Sequence, residues 1–215
     1  LVQNTGFEFS LNSINIQKKT FKWTSSFNIS KNSNKLLAYP GLESSSFANN
    51  LIIGQPTSIN ILYKFYDVDP ATGQYRFVLK DGTISSTPGD GSENKIVAFD
   101  TRPSLLGGLQ NNITYKSVEL SFFFQSVKQK GLSVLYSTNG GVPPGYTRQN
   151  QINSVLERWQ QPGDIASIQK YVVDNTTGYL TTSRYVSQSD AAYTDASYIR
   201  LKNVSLSWQL PESFR

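Results

Sequence analysis

The chain has 215 residues, is 38% hydrophobic and only 16% charged, and carries a formal net charge of +5, where an ordinary soluble domain holds roughly 45–50% apolar and about 25% charged residues. Cysteine and histidine are both absent, which excludes disulfides, thiolate chemistry, the Ser-His-Asp and Cys-His constellations and the usual zinc sites. Lysine and arginine are scattered rather than gathered into a stripe, so no nucleic-acid partner is expected.

What remains is a polar but uncharged chain with 12 Tyr, 12 Phe and 3 Trp, a mixture that suits strands with one greasy and one wet face. No signal-peptide pattern opens it, and no run approaches the ~18 apolar residues of a membrane helix. A chain that starts at Leu1 and has no methionine is expected to be a processed product or an internal piece, and we read it as the second.

The first expected strand, about residues 6–16, sets Phe7, Phe9 and Leu11 on one side and then switches parity to Ile14 and Ile16, as a bulge would do. After QKKT comes the cleanest alternation, 21–32, with Phe21, Trp23, Phe27 and Ile29 facing away from Lys22, Thr24, Ser26, Asn28 and Ser30. A long segment, 34–105, follows. It contains YDVDPATG, where Asp67 and Asp69 are the obvious carboxylate pair for glycoside hydrolysis. Asp-Pro followed by Thr-Gly is also strong turn chemistry, and a tight hairpin is the expectation. In KDGTISSTPGDGSEN, Asp81, Asp90 and Glu93 accompany glycines but lack calcium-loop spacing, so a flexible turn is expected and no metal site.

The third strand, 106–115, opposes Leu109, Ile113 and Tyr115 to Gln110, Asn112 and Thr114. Only KS separates it from the fourth, 118–125, where Val118, Leu120, Phe122 and Phe124 face away from Glu119, Ser121 and Gln125. A second long segment, 127–196, holds the one helix-spaced stretch: Ile152, Val155, Leu156 and Trp159, ended by Pro162-Gly163. There Arg158 and Trp159 are the candidate substrate-binding residues, with Glu157 beside them, because an indole can stack on a sugar and a guanidinium can hold a carboxylate or hydroxyl. The competing expectation is that Trp159 anchors the loop itself. The last strand, 197–210, alternates Val204, Leu206, Trp208 and Leu210 with Ser205, Ser207 and Gln209, and runs into Pro211, where another tight turn is expected. Asn28, Asn112 and Asn203 match N-x-[ST] by chance in an Asn/Ser/Thr-rich chain, and Glu119 reads as a wet interior side chain.

Short turns and long segments thus alternate strictly. Antiparallel strands of about 9–11 residues, tight on one rim and elaborated on the other, are the sequence form of a transmembrane β-barrel. Lipid offers the backbone no hydrogen bonds, so only a closed ring of strands satisfies it, with apolar side chains outside. On this reading Phe21, Trp23, Phe27, Ile29, Leu120, Phe122, Phe124, Leu206 and Trp208 face lipid, with Trp23, Tyr115 and Trp208 in an aromatic girdle. The alternative with the same pattern is a soluble or surface-attached β-sandwich carbohydrate-binding module, with these residues buried between two sheets. Five strands cannot close a barrel, so the barrel reading makes the chain a fragment.

Five segments, TGFEFSLNSINIQKKTFKWTSSFNISKNSNKL (5–36), IGQPTSINILYKFYDVDPATGQYRF (53–77), GGLQNNITYKSVELSFFFQ (107–125), RWQQPGD (158–164) and DASYIRLKNVSLSWQLP (195–211), carry a resemblance to SusC/RagA-type TonB-dependent outer-membrane transporters, a Bacteroidetes family. The resemblance implies that residues 1–215 belong to a single all-β barrel domain, from the C-terminal part of a large antiparallel transmembrane barrel with long extracellular loops, and without the plug. It implies a multi-pass location in the bacterial outer membrane, with QKKT and KS on the periplasmic side. It further implies nutrient uptake: glycan or peptide fragments captured under a SusD-like surface lipoprotein, and energy from the TonB complex through parts absent from this chain. The remaining partners would be the rest of the barrel and lipid. No enzyme activity and no cofactor are expected.

Overall fold

The computed structural model of the chain describes residues 1–139, 150–173 and 178–210. Its largest element is a five-stranded antiparallel sheet of β1 (Val2–Gln17), β2 (Phe21–Leu36), β8 (Leu105–Tyr115), β9 (Val118–Lys128) and β12 (Tyr198–Trp208), hydrogen-bonded in that order. These are the five long strands read from the alternation. The first begins at Val2 instead of residue 6 and the second runs on to Leu36, because residues 2–5 and 33–36 pair with each other beyond the point where the apolar pattern stops. The turn expected at Pro211 lies outside the described residues.

The bulge in β1 falls between Ile14 and Ile16, later than the pattern implied. Ile14 sits opposite Thr24, on the polar face, and only Ile16, opposite Trp23, returns to the apolar one. At the short-turn rim, Lys18 N–H donates to Phe21 O at 2.8 Å, Lys116 N–H to Thr20 O at 2.8 Å and Gln209 N–H to Ser117 O at 2.9 Å. The turns are therefore tied to one another. Lys116 takes a left-handed φ of 53°, as a two-residue hairpin turn demands.

The long segments are folded, and they fold on each other. The first contains β3 (Ile59–Leu62), β4 (Lys64–Val68), β5 (Tyr75–Val78), β6 (Ile84–Ser85) and β7 (Val97–Asp100); the second contains β10 (Lys130–Leu132), α1 (Val134–Asn139), α2 (Tyr179–Ser187) and β11 (Tyr193–Asp195). Strand β3 pairs with β7, β4 with β5 and β6, and β10 with β11. The hydrophobic core lies in this loop body: Tyr63, Val68, Tyr75 and Phe77 from the first segment meet Trp159, Tyr185 and Val186 from the second. Phe77 stands at the centre, 0% exposed, within 6.1 Å of the Tyr63 and Tyr185 rings, Tyr185 edge-on.

Among the described residues, by contrast, no second sheet stacks upon the aromatic face of the five-stranded sheet. Leu206 is 71% and Trp208 61% exposed, where a sandwich would bury them. The sandwich expectation is therefore corrected.

Residues 151–160 do not form the expected α-helix. A 3₁₀ turn covers Asn153–Glu157, and Arg158 is already extended, at φ −70°, ψ 156°. The reason is tertiary: Arg158 bridges Ile168 and Trp159 N–H donates to Ile168 O at 2.8 Å. The helical spacing there does not describe one buried face, since Leu156 is exposed while Trp159 is buried elsewhere.

Candidate functional site

Two features carry functional information: the apolar face of the sheet and the aromatic-polar group around residue 158. Directly opposed residues on neighbouring strands point to the same side of a sheet, so the register sorts the faces. One row reads Leu11, Phe27, Leu109, Phe124 and Leu201; another reads Trp23, Ile113, Leu120 and Leu206; a third reads Phe21, Tyr115, Val118 and Trp208. Ile29 and Phe122 fall on the same side, opposite Phe9 and Val204 respectively. All nine residues singled out from the alternation, drawn from three separated stretches of sequence, are thus brought onto one face. The other face carries rows such as Lys22, Thr114, Glu119 and Ser207, and Thr24, Asn112, Ser121 and Ser205.

A part-buried polar cluster interrupts the apolar face. Asn111, opposite Ser25 and Phe122, is buried, and its Oδ1 accepts from Trp23 Nε1 at 3.0 Å and Ser25 Oγ at 2.7 Å. A satisfied amide there costs little, whereas an unsatisfied one would cost a lost hydrogen bond in an apolar setting. The sequence held the signal in its parity: Asn111 shares its side with Leu109 and Ile113, and Ser25 shares its side with Trp23 and Phe27.

Trp159 is 4% exposed. Its Nε1 donates to Pro70 O at 3.0 Å, and Lys170 Nζ lies 5.6 Å from the ring. A Cβ added at Gly73 would come within 2.6 Å of the indole, so the hairpin after β4 closes on the ring through a glycine with a left-handed φ of 77°. Neither indole face is open to a sugar. The tryptophan clamps the two long segments together, extending the anchoring expectation from its own loop to its neighbour. Arg158 is half-buried beside it, over the exposed Tyr171 ring at 5.6 Å. Arg158 and Tyr171, rather than Arg158 and Trp159, are the pair that reaches the surface, and Tyr171 was missed because it lies in a stretch without period.

The carboxylates of YDVDPATG are engaged in holding the hairpin. Asp67 receives a two-pronged contact from Arg76, Nε to Oδ1 at 2.7 Å and Nη2 to Oδ2 at 2.6 Å. Asp69 accepts from Ala71 N–H and Thr72 Oγ1, both at 2.9 Å; the Ala71 N–H contact is the main cause that lowers its pKa. Among the described residues no group of three or more acidic side chains could hold a metal ion. Asp90 accepts from Tyr185 OH at 3.1 Å, and Tyr63 OH donates to Gly89 O at 2.7 Å. Burial first, then the charges of Tyr185, Asp90 and Glu93, push the Tyr63 pKa up to about 12.

A second clamp joins the segments at Asp190, which accepts from Lys64 Nζ at 2.6 Å and from Phe65 N–H at 2.8 Å. Inside α2 and its neighbour, Gln169 is fully buried and satisfied at both ends: its amide nitrogen donates to Tyr179 O, and Thr182 Oγ1 donates to its amide oxygen at 2.7 Å.

No protein-family model matches the chain. Among curated proteins, TonB-dependent receptor P26 of Formosa agariphila is 27% identical over 229 residues, a stretch spanning 98% of this chain and 22% of the relative. TonB-dependent receptor P3 of the same organism is 29% identical over 241 residues, spanning 99% of this chain and again 22% of the relative. The chain therefore spans less than a quarter of the curated relatives it matches. Among solved structures, the RagAB peptide importer in its open-open state superposes with a TM-score of 0.76 at 20% identity, over 99% of this chain and 23% of that one. The closed-closed state gives a TM-score of 0.73 over the same shares. In sequence the chain resembles TonB-dependent receptors along nearly its whole length, and in fold it superposes on a segment of the RagAB importer, in agreement with the SusC/RagA resemblance carried by its motifs.

Proposed function

We propose that this chain forms part of the C-terminal portion of an outer-membrane TonB-dependent importer of SusC type, which moves glycan or peptide fragments delivered by a SusD-like lipoprotein. Residues 1–215 belong to one barrel domain. The nine aromatic and aliphatic side chains on the sheet's apolar face meet lipid, and the outer edges of β1 and β12 pair with further strands of the same barrel. The loop body stands on the extracellular side, where Arg158 contacts cargo, while the TonB complex supplies energy through other parts of the protein.

The observation that carries this reading is the exposed apolar face itself. In water, contiguous apolar patches beyond a few hundred Å² are rare on monomeric proteins, whereas an outward band of this kind with polar residues behind it is what a barrel strand needs. The relatives' names, and the RagAB importer's stated role in peptide import, support the same reading. The test is the native protein in the outer-membrane fraction of the source cells. It should require detergent for extraction and migrate faster in unheated than in boiled SDS gels, as a folded barrel does. Recovery in the soluble fraction, with no heat-dependent shift, would end the proposal.

A further inference from the structure

At the loop end of the sheet the polar face runs into a cleft of about 670 Å³, between the paired ends of β1 and β2 and the chain returning into β8. A second cleft of about 280 Å³ shares Asp100, Arg102 and Ser104 with it and adds Lys128, Lys130 and Asp195. The walls are held in place. Asn34 Nδ2 donates to Asn4 Oδ1 at 2.6 Å, while Asn34 Oδ1 accepts from Thr57 N–H at 2.8 Å and from Thr57 Oγ1 at 2.9 Å. The Asn4 amide is thus gripped by its oxygen, and among the described residues its Nδ2 makes no hydrogen bond. Gly6 forms part of the floor: a Cβ there would lie 2.7 Å from Asn32 Oδ1, so the absence of a side chain lets the Asn32 amide lie where it does.

Arg102 is fixed in the same manner. Its Nε and Nη2 donate to Asp100 Oδ2 at 2.9 and 2.6 Å, and Asp100 Oδ1 accepts in turn from Arg102 N–H at 2.9 Å and Ser58 Oγ at 3.2 Å. One edge of the guanidinium is occupied and the other, Nη1, is available on a half-exposed side chain. Asp195 accepts from Ser197 N–H at 2.8 Å. In the larger cleft Arg102 and Asp100 balance, and the positive surplus comes from Lys128 and Lys130 of the smaller one against Asp195. Aromatic recognition is weak: the larger cleft has no aromatic in its lining, and in the smaller one Phe99 is occupied by Lys130 Nζ at 4.5 Å and the Tyr193 ring at 4.9 Å.

Side-chain amides offer a donor and an acceptor together, matching the hydroxyls of a sugar, and a pre-oriented guanidinium edge matches a planar anion. Pro56, Pro103 and Leu106 add apolar surface to the larger cleft, against which the carbon face of a sugar ring can lie. We propose that this cleft is a subsite for an acidic oligosaccharide, with the Asn32 amide and the Asn4 amide, held by Asn34, reading hydroxyls and the open edge of Arg102 taking a carboxylate or sulfate. The proposal rests on the importer reading for its biological sense, but the site itself does not depend on it.

The test uses the full-length protein purified in detergent, titrated calorimetrically with tetragalacturonate, a sulfated galactan tetrasaccharide, cellotetraose and the tetrapeptide Glu-Gly-Glu-Gly. At least one of the two acidic saccharides should bind. Arg102→Gln should weaken it by about tenfold, and Gly6→Ala by a smaller factor, through displacement of Asn32, with unchanged far-ultraviolet circular dichroism in both variants. Binding of cellotetraose equal to that of the acidic sugars, binding of the peptide alone, binding of none of them, or a folded Arg102→Gln protein with undiminished affinity would overturn the assignment. Heat-dependent gel migration of the same preparation keeps the two readings apart. A shifting barrel that ignores acidic saccharides sinks the subsite and spares the importer, while a protein that does not shift sinks the importer and leaves the titration to decide the subsite.

Discussion

Phe77 and Trp208 belong to one chain, yet one is 0% and the other 61% exposed. The sheet and the loop body draw on the same aromatic-rich composition and treat it in opposite ways. In the loop body, rings from two segments far apart in sequence close on one another, and polar groups such as Gln169 and Asp190 are matched to the last atom. In the sheet, the rings line a face that nothing among the described residues covers. A region that buries its own apolar surface is stabilised by its own contacts; one that does not depends on what surrounds it. The loop body is accordingly a small core closed by its own chain, and the sheet presents an open apolar face that the proposed barrel would turn to lipid.

The sharpest way to break that contrast is Phe77→Ala. Emptying the fully buried centre of the loop core should cost about 3–5 kcal/mol, read as accelerated hydrogen exchange across 59–100 and 158–192 with the sheet amides unchanged. If the sheet amides accelerate equally, the two regions are one cooperative unit and the contrast is false. Next in size is Phe122→Lys on the apolar face. A cation there should cost about 2–4 kcal/mol if it lies near the bilayer midplane, seen as a fall in the fraction of protein that migrates as a folded barrel. Normal assembly of this variant would mean that the face does not meet lipid.

The smallest effect at neutral pH concerns Tyr63. Its folded pKa of about 12 lies above the ordinary tyrosine value of about 10, so the folded state favours the neutral phenol. Its contribution is fully present below pH ~10 and is lost as the pH rises towards ~12, because the unfolded phenol ionises first. Tyr63→Phe should remove this alkaline loss from the loop body and delete one late-ionising step of the ultraviolet titration. An unchanged titration would show that Tyr63 is not held neutral by its core.

The five sheet strands were legible because alternation is local: each side chain's face follows from its neighbours two positions away, and a one-residue slip would turn the whole set over. The same rule would have put Asn111 and Ser25 on the apolar side, although it was not applied to them and only the register brings them to Trp23. The loop body was not legible. Helix α2 reads YLTTSRYVS, with Thr181, Thr182 and Val186 poor in helix propensity; its buried side includes Thr182 and Ser183, so no apolar stripe announces it. Residues 151–160, conversely, carry helical spacing without a shared face to bury it.

By itself, then, the sequence determined the strands, their tight turns and the one-sided aromatic pattern, since these follow from period and chain geometry. The tertiary structure decided the clamp of Trp159 on Pro70, 89 positions away, the joining of the two long segments through Asp190, and the gathering of Asn4, Asn34 and Arg102 at one cleft. Contacts between residues so distant have no periodic trace, because they are selected by the shape and hydrogen-bonding needs of the surfaces that meet and not by the order of residues along either one.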